Sequence, residues 1–65
     1  MTGTVISFSP VKGYGFINTD KGDYFFHVSE WMGRERPKEG DKVDFVPMDT
    51  PLGKRAYIVS KLRRD

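Results

Sequence analysis

Cysteine is absent from the 65 residues, which rules out a disulfide framework and thiolate metal sites and gives no sign of an oxidising compartment. Histidine occurs once, at His27, and no cluster of His, Asp and Glu has metal-ligand spacing. The acidic residues Asp20, Asp23 and Glu30 fall at turns, with no base partner in the pattern. Enzymatic function is therefore not expected, and neither a metal nor a cofactor is implied. No run of about 18 apolar residues occurs, which argues against a membrane-spanning helix. The opening MTGTVISFSP lacks the basic start and long apolar stretch of a secretory signal, so a soluble cytoplasmic protein is expected. No segment sustains a helical period over several turns, and there is no internal repeat. Charge of one sign is not in excess either. Eleven Lys and Arg against nine Asp and Glu leave +2, a balance that permits nucleic-acid binding without arguing for it. The basic residues Lys54, Arg55, Lys61, Arg63 and Arg64 gather near the C-terminus.

What the chain has in quantity is aromatic side chains. It holds nine, seven of them between Phe8 and Trp31. A domain of this size buries only about 60% of its unfolded surface, so some of those rings are expected to face solvent, where grouped aromatics have a partner.

Five short segments read as strands: Thr4 to Ser9, Tyr14 to Thr19, Asp23 to Val28, Lys42 to Met48 and Ala56 to Leu62. Turn residues separate them, with Lys12-Gly13 before the second and Asp20-Lys21-Gly22 before the third. Between Ser29 and Gly40 the pattern lapses, with room for one helical turn at Ser29-Glu30-Trp31. Five strands in one short chain predict a single all-β domain over residues 1–65, a barrel whose closure hides the sheet edges. Side chains alternate between the faces of a strand. Ile17, Tyr24, Phe26 and Val28 form the better core face, which leaves Tyr14, Phe16, Phe25 and His27 on the outside. Phe45 and Val43 are expected in the core.

Lys12-Gly13-Tyr14-Gly15-Phe16-Ile17 resembles the first ribonucleoprotein motif of cold-shock domains, and Tyr24-Phe25-Phe26-His27-Val28 resembles the second, at the spacing of that family. The opening strand, the stretch Glu39 to Phe45 and the stretch Gly53 to Ser60 continue the likeness over nearly the whole chain. The resemblance implies a five-stranded antiparallel barrel of the oligonucleotide-binding (OB-fold) type that binds single-stranded RNA or DNA as a monomer, with no small-molecule substrate. Many such domains are described as RNA chaperones. By the same likeness Tyr14, Phe16 and Phe25 stack bases, Phe8 remains as a first-strand ring, His27 stacks or donates a hydrogen bond, and Lys12 meets phosphate. Gly13 and Gly15 are expected to keep the binding surface free of bulk. The family pattern is broken at Ser7, where a Trp is common, at Ile6, where a Lys is frequent, and at Val28, where a Phe often stands. Trp31 takes a usually aliphatic position and is expected to replace part of the lost ring surface. Arg34 and Arg36, in a shortened loop, are expected to contribute charge. Two other folds compete for the same residues. An RNA-recognition motif fold needs two helices that this chain lacks. An SH3-like protein-interaction barrel would display aromatics to a proline-rich peptide, but the aromatic-glycine alternation beside Lys12 suits stacking on an open sheet.

Overall fold

Apolar residues alternating with polar ones, broken by turn residues, give five strands: β1 (Thr2–Ser9), β2 (Tyr14–Thr19), β3 (Gly22–His27), β4 (Lys42–Thr50) and β5 (Gly53–Lys61). The computed structural model describes residues 1–62. Arg63 and Arg64, part of the expected basic cluster, lie outside the described residues. The strands close into a barrel in the order β1-β2-β3-β5-β4. Neighbouring strands run antiparallel except β3 and β5, which pair parallel where Phe25 meets Arg55. That short parallel contact is where the barrel closes beside the aromatic strands.

Two hairpins share one local device. In Thr19-Asp20-Lys21-Gly22 the Thr19 hydroxyl donates to the Gly22 carbonyl at 2.8 Å and accepts from the Lys21 N–H at 3.0 Å. Thr50 does the same in Thr50-Pro51-Leu52-Gly53, at 2.8 Å to Gly53 and 3.2 Å from Leu52. Each loop ends on a glycine at positive φ, 112° at Gly22 and 125° at Gly53, a region open to glycine without steric cost. The second loop lets β4 and β5 stay paired out to Thr50↔Gly53, beyond the expected strand ends.

Bulges set which way the side chains point. Between Val5↔Ile17 and Ser7↔Phe16, β1 has one more residue than β2, so Ile6 is left over and exposed. Between Asp44↔Ser60 and Val46↔Tyr57, β5 spends two residues against Phe45 alone. The first of them, Ile58, has φ of 52°, the left-handed bulge position normally taken by glycine. Its N–H is held by the Glu30 carboxylate at 3.1 Å.

The core comprises Val5, Ile17, Tyr24, Phe26, Trp31, Val43, Phe45, Ala56 and Val59. Phe26 is fully buried, and burial of a side chain this size contributes about 1.5–3 kcal/mol. Val43 and Phe45 lie in the core as expected. Val28 does not, because β3 ends at His27 and the chain turns there into a 3-10 helix (Val28–Glu30), which leaves Val28 exposed. No helix among the described residues is long and apolar enough to cross a membrane.

Candidate nucleic-acid interface

The β2–β3 hairpin carries no bulge, so its alternation is regular: Tyr14↔His27, Gly15↔Phe26, Phe16↔Phe25 and Ile17↔Tyr24. Ile17, Tyr24 and Phe26 point into the barrel, and Tyr14, Phe16, Phe25 and His27 share the outer face. The three outer rings form one cluster. Tyr14 and Phe25 lie 5.3 Å apart between centroids at 36°, Phe16 and Phe25 5.9 Å apart at 76°, and Tyr14 and Phe16 6.3 Å apart at 84°. Edge-on and tilted pairs of this kind hold one another in place.

His27 is oriented by the chain that follows it. Its Nδ1 accepts the Ser29 N–H at 3.1 Å and lies 2.9 Å from the Ser29 hydroxyl. In the neutral ring the proton therefore sits on Nε2, which is left as a donor without a protein partner among the described residues. The Lys12-Gly13 turn is tied to the same end of the platform. Gly13 donates to Ser9 at 2.8 Å, and its own carbonyl accepts from Val28 at 2.8 Å. Lys12 stands exposed in that turn, its N–H donated to the Ser9 hydroxyl at 3.2 Å.

Arg55 belongs to the cluster although the sequence pattern alone left it in a terminal basic run. The parallel pairing with Phe25 brings its guanidinium carbon to 4.7 Å from the Phe25 centroid, a cation–π contact. A groove of about 450 Å³ runs alongside, lined by Phe16, Asp23, Phe25, Leu52, Lys54 and Arg55. Aromatic floor and cationic wall suit a planar base attached to a phosphate.

Two of the expected contacts, Phe8 and Trp31, are placed elsewhere. Phe8 faces inward, because the bulge at Ile6 shifts the β1 alternation by one; its ring stacks on the buried Phe26 at 5.9 Å and 15°. Trp31 is in the core, 6.2 Å from Phe26, with its indole N–H donated to the Glu35 carbonyl at 2.6 Å. A ring held on its face and at its N–H cannot replace the one missing at Ser7. Gly15 is also on the inner side. A Cβ there would run into the Ser7 carbonyl oxygen and come within 3.0 Å of the Phe26 ring, so its bareness serves packing between β1 and β2. Arg34 and Arg36 are exposed on the loop after the 3-10 helix, and among the described residues neither makes a contact with the platform. We expect Trp31→Leu to lower unfolding stability by about 2–3 kcal/mol while changing oligonucleotide affinity of the folded protein less than about twofold, read from denaturant titrations and binding isotherms together.

Comparison with known proteins gives one consistent result. The family model described as "'Cold-shock' DNA-binding domain" matches residues 1–62. A major cold shock protein of Micrococcus luteus is 41% identical over 64 residues, covering 92% of this chain and 96% of that protein. A cold shock-like protein of Listeria monocytogenes is 41% identical over 64 residues, covering 94% of this chain and 97% of its own. Among solved structures, a Drosophila Unr fragment (CSD456) superposes with a TM-score of 0.75 at 24% identity, over 95% of this chain and 26% of that one.

Proposed function

The chain belongs to the "'Cold-shock' DNA-binding domain" family, whose members generally bind nucleic acid, and from that premise we propose that it binds single-stranded RNA or DNA by stacking bases on Tyr14, Phe16 and Phe25. The observation that carries the reading is the cluster of three rings on the outer face of β2 and β3, 5.3–6.3 Å apart. Every base has a π face, so stacking tolerates sequence and contributes about 1–3 kcal/mol per base. Three rings give roughly 3–9 kcal/mol before the cost of ordering the strand. His27 adds a directed hydrogen bond through Nε2, and Lys12 and Arg55 supply charge for phosphate without reading sequence.

Bases are free to stack only when unpaired. A protein that holds them shifts any weak duplex toward its open form without hydrolysing a nucleotide, and that is the physical content of an RNA chaperone. The shift follows mass action, about 2.7 kcal/mol when free protein stands at 100 times its dissociation constant. A marginal RNA hairpin with a fluorophore and quencher at its ends is therefore expected to melt at lower temperature as protein is added. An unmoved melting curve at saturating protein would remove the chaperone role while leaving simple binding to be judged by its own titration.

A further inference from the structure

The outer face of the barrel does not end at β3. From the parallel contact Phe25↔Arg55, the same two-residue step along both strands leads to His27 on β3 and to Tyr57 on β5. Tyr57 precedes the bulge at Ile58, so it stays in alternation with Arg55, while Ala56 and Val59 turn inward and are buried. It is half-buried. Among the described residues its hydroxyl has no hydrogen-bond partner and its ring no aromatic neighbour. Across the β4–β5 ladder, Met48 stands opposite Arg55 and Val46 opposite Tyr57, and both are exposed, at 49% and 45%. A merely solvated sheet face would carry polar residues there; this one has a tyrosine rimmed by two apolar side chains, continuous through Arg55 with the aromatic cluster.

We propose that Tyr57 is a further base-stacking position, and that Arg55 carries the nucleic-acid strand from the β2–β3 rings across to it. The proposal rests on the single-strand reading above and lengthens its path. Charge favours a polyanion as the occupant. Arg55 and Lys54 line the groove beside Phe25, its one carboxylate, Asp23, is engaged by the Asn18 amide at 2.9 Å, and the Glu30 carboxylate next to Tyr57 is engaged by the Ile58 N–H at 3.1 Å. Arg55 can stay stacked on Phe25 while its outward N–H groups meet a phosphate, since the guanidinium uses its face for the ring and its edge for hydrogen bonds.

The test is a pair of titrations with labelled oligothymidines of about four and about eight nucleotides, which bracket one and two patches of stacking surface. Tyr57→Ala is expected to weaken the longer ligand about tenfold and the shorter one less than about twofold, with Tyr57→Phe close to the unaltered protein on both. Equal affinity of Tyr57→Ala and unaltered protein for the longer oligonucleotide would overturn the proposal and leave the β2–β3 platform standing. Failure of the unaltered protein to bind either ligand would overturn both. Because Tyr57→Ala could lose fold, photocrosslinking of a 5-bromouracil oligonucleotide to the unaltered protein supplies a second readout. Crosslinks at Tyr57 are expected, and crosslinks confined to β2 and β3 would contradict the longer path. Loss of a dimer on Tyr57→Ala, seen by sedimentation with oligonucleotide binding unchanged, would assign the face to a second copy of the chain instead.

Discussion

Replacing Phe16 and Phe25 together by alanine is expected to weaken oligothymidine binding by roughly hundredfold or more, since each ring contributes about 1–3 kcal/mol of stacking. The fold should survive the change. Phe16 is 37% exposed and Phe25 half-buried, while the core beneath them consists of Ile17, Tyr24 and Phe26. The structural loss is confined to ring-ring edges and to the Arg55 contact over Phe25, which is worth about 0.5–1 kcal/mol at an exposed site. A thermal melt that moves little, alongside a binding isotherm that collapses, separates a binding role from a packing role. The single variants should each show an intermediate loss. Lys12→Ala differs in kind. It should weaken binding at low salt and have little effect at high salt, because a phosphate contact is a counterion-release term and a ring stack is not.

The second large effect concerns stability. Gly15→Ala is expected to cost about 3 kcal/mol, the upper part of the range for forcing atoms into a packed interior. The clash is with the Ser7 carbonyl oxygen and with the Cα of Phe8 at 3.0 Å, both backbone, so no side-chain rotation can relieve it. For a domain of this length total stability is about 3–10 kcal/mol, so one methyl group removes a large part of it. The same strands hold Tyr14 and Phe16 in position, so binding should fall with the folded fraction. Urea unfolding reads the effect directly, and a midpoint equal to that of the unaltered protein would mean that β1 and β2 are not in the close register that seats Phe8 on Phe26.

How much of this could be read from the residues varies strand by strand, for identifiable reasons. In β2 and β3 the pairing is regular and each residue's partner is a near neighbour in sequence, so period-two alternation placed Tyr14, Phe16, Phe25 and His27 outside and Ile17, Tyr24 and Phe26 inside. Strand β1 broke the same rule because Ile6 is an extra residue opposite β2, and nothing in the run Val5-Ile6-Ser7-Phe8 marks which β-branched residue will be left over. Trp31 was misplaced for another reason. Its position follows from a 3-10 turn and a bridge to Val59, a contact distant in sequence. Arg55 was hidden by topology: its place over Phe25 depends on the parallel meeting of β3 and β5, which no local pattern encodes. A tertiary pairing thus added one cation to the cluster, and two local irregularities changed the place of two aromatic rings: the turn after His27 carries Trp31 into the core, and the Ile6 bulge turns Phe8 onto Phe26.

These relocations simplify the account of binding. Trp31 is buried in the core and Phe8 rests on Phe26, so the proposed stacking surface consists of the β2–β3 rings and, on the further proposal, Tyr57 on β5. Charge is correspondingly modest: Lys12, Lys54 and Arg55 stand near the rings, and Lys54 already donates to the Lys21 carbonyl at 2.6 Å. Two to three phosphate contacts on a single strand predict a salt slope of about −1.4 to −2 in log–log form. The most direct test of the central claim is therefore fluorescence anisotropy of a labelled oligothymidine, titrated with the unaltered protein at low and at moderate salt. Saturable binding that weakens with a slope in that range would establish a surface on which stacking outweighs phosphate contact. A much steeper slope, or no binding at tens of micromolar protein, would contradict the claim that exposed rings on β2 and β3 hold a single strand.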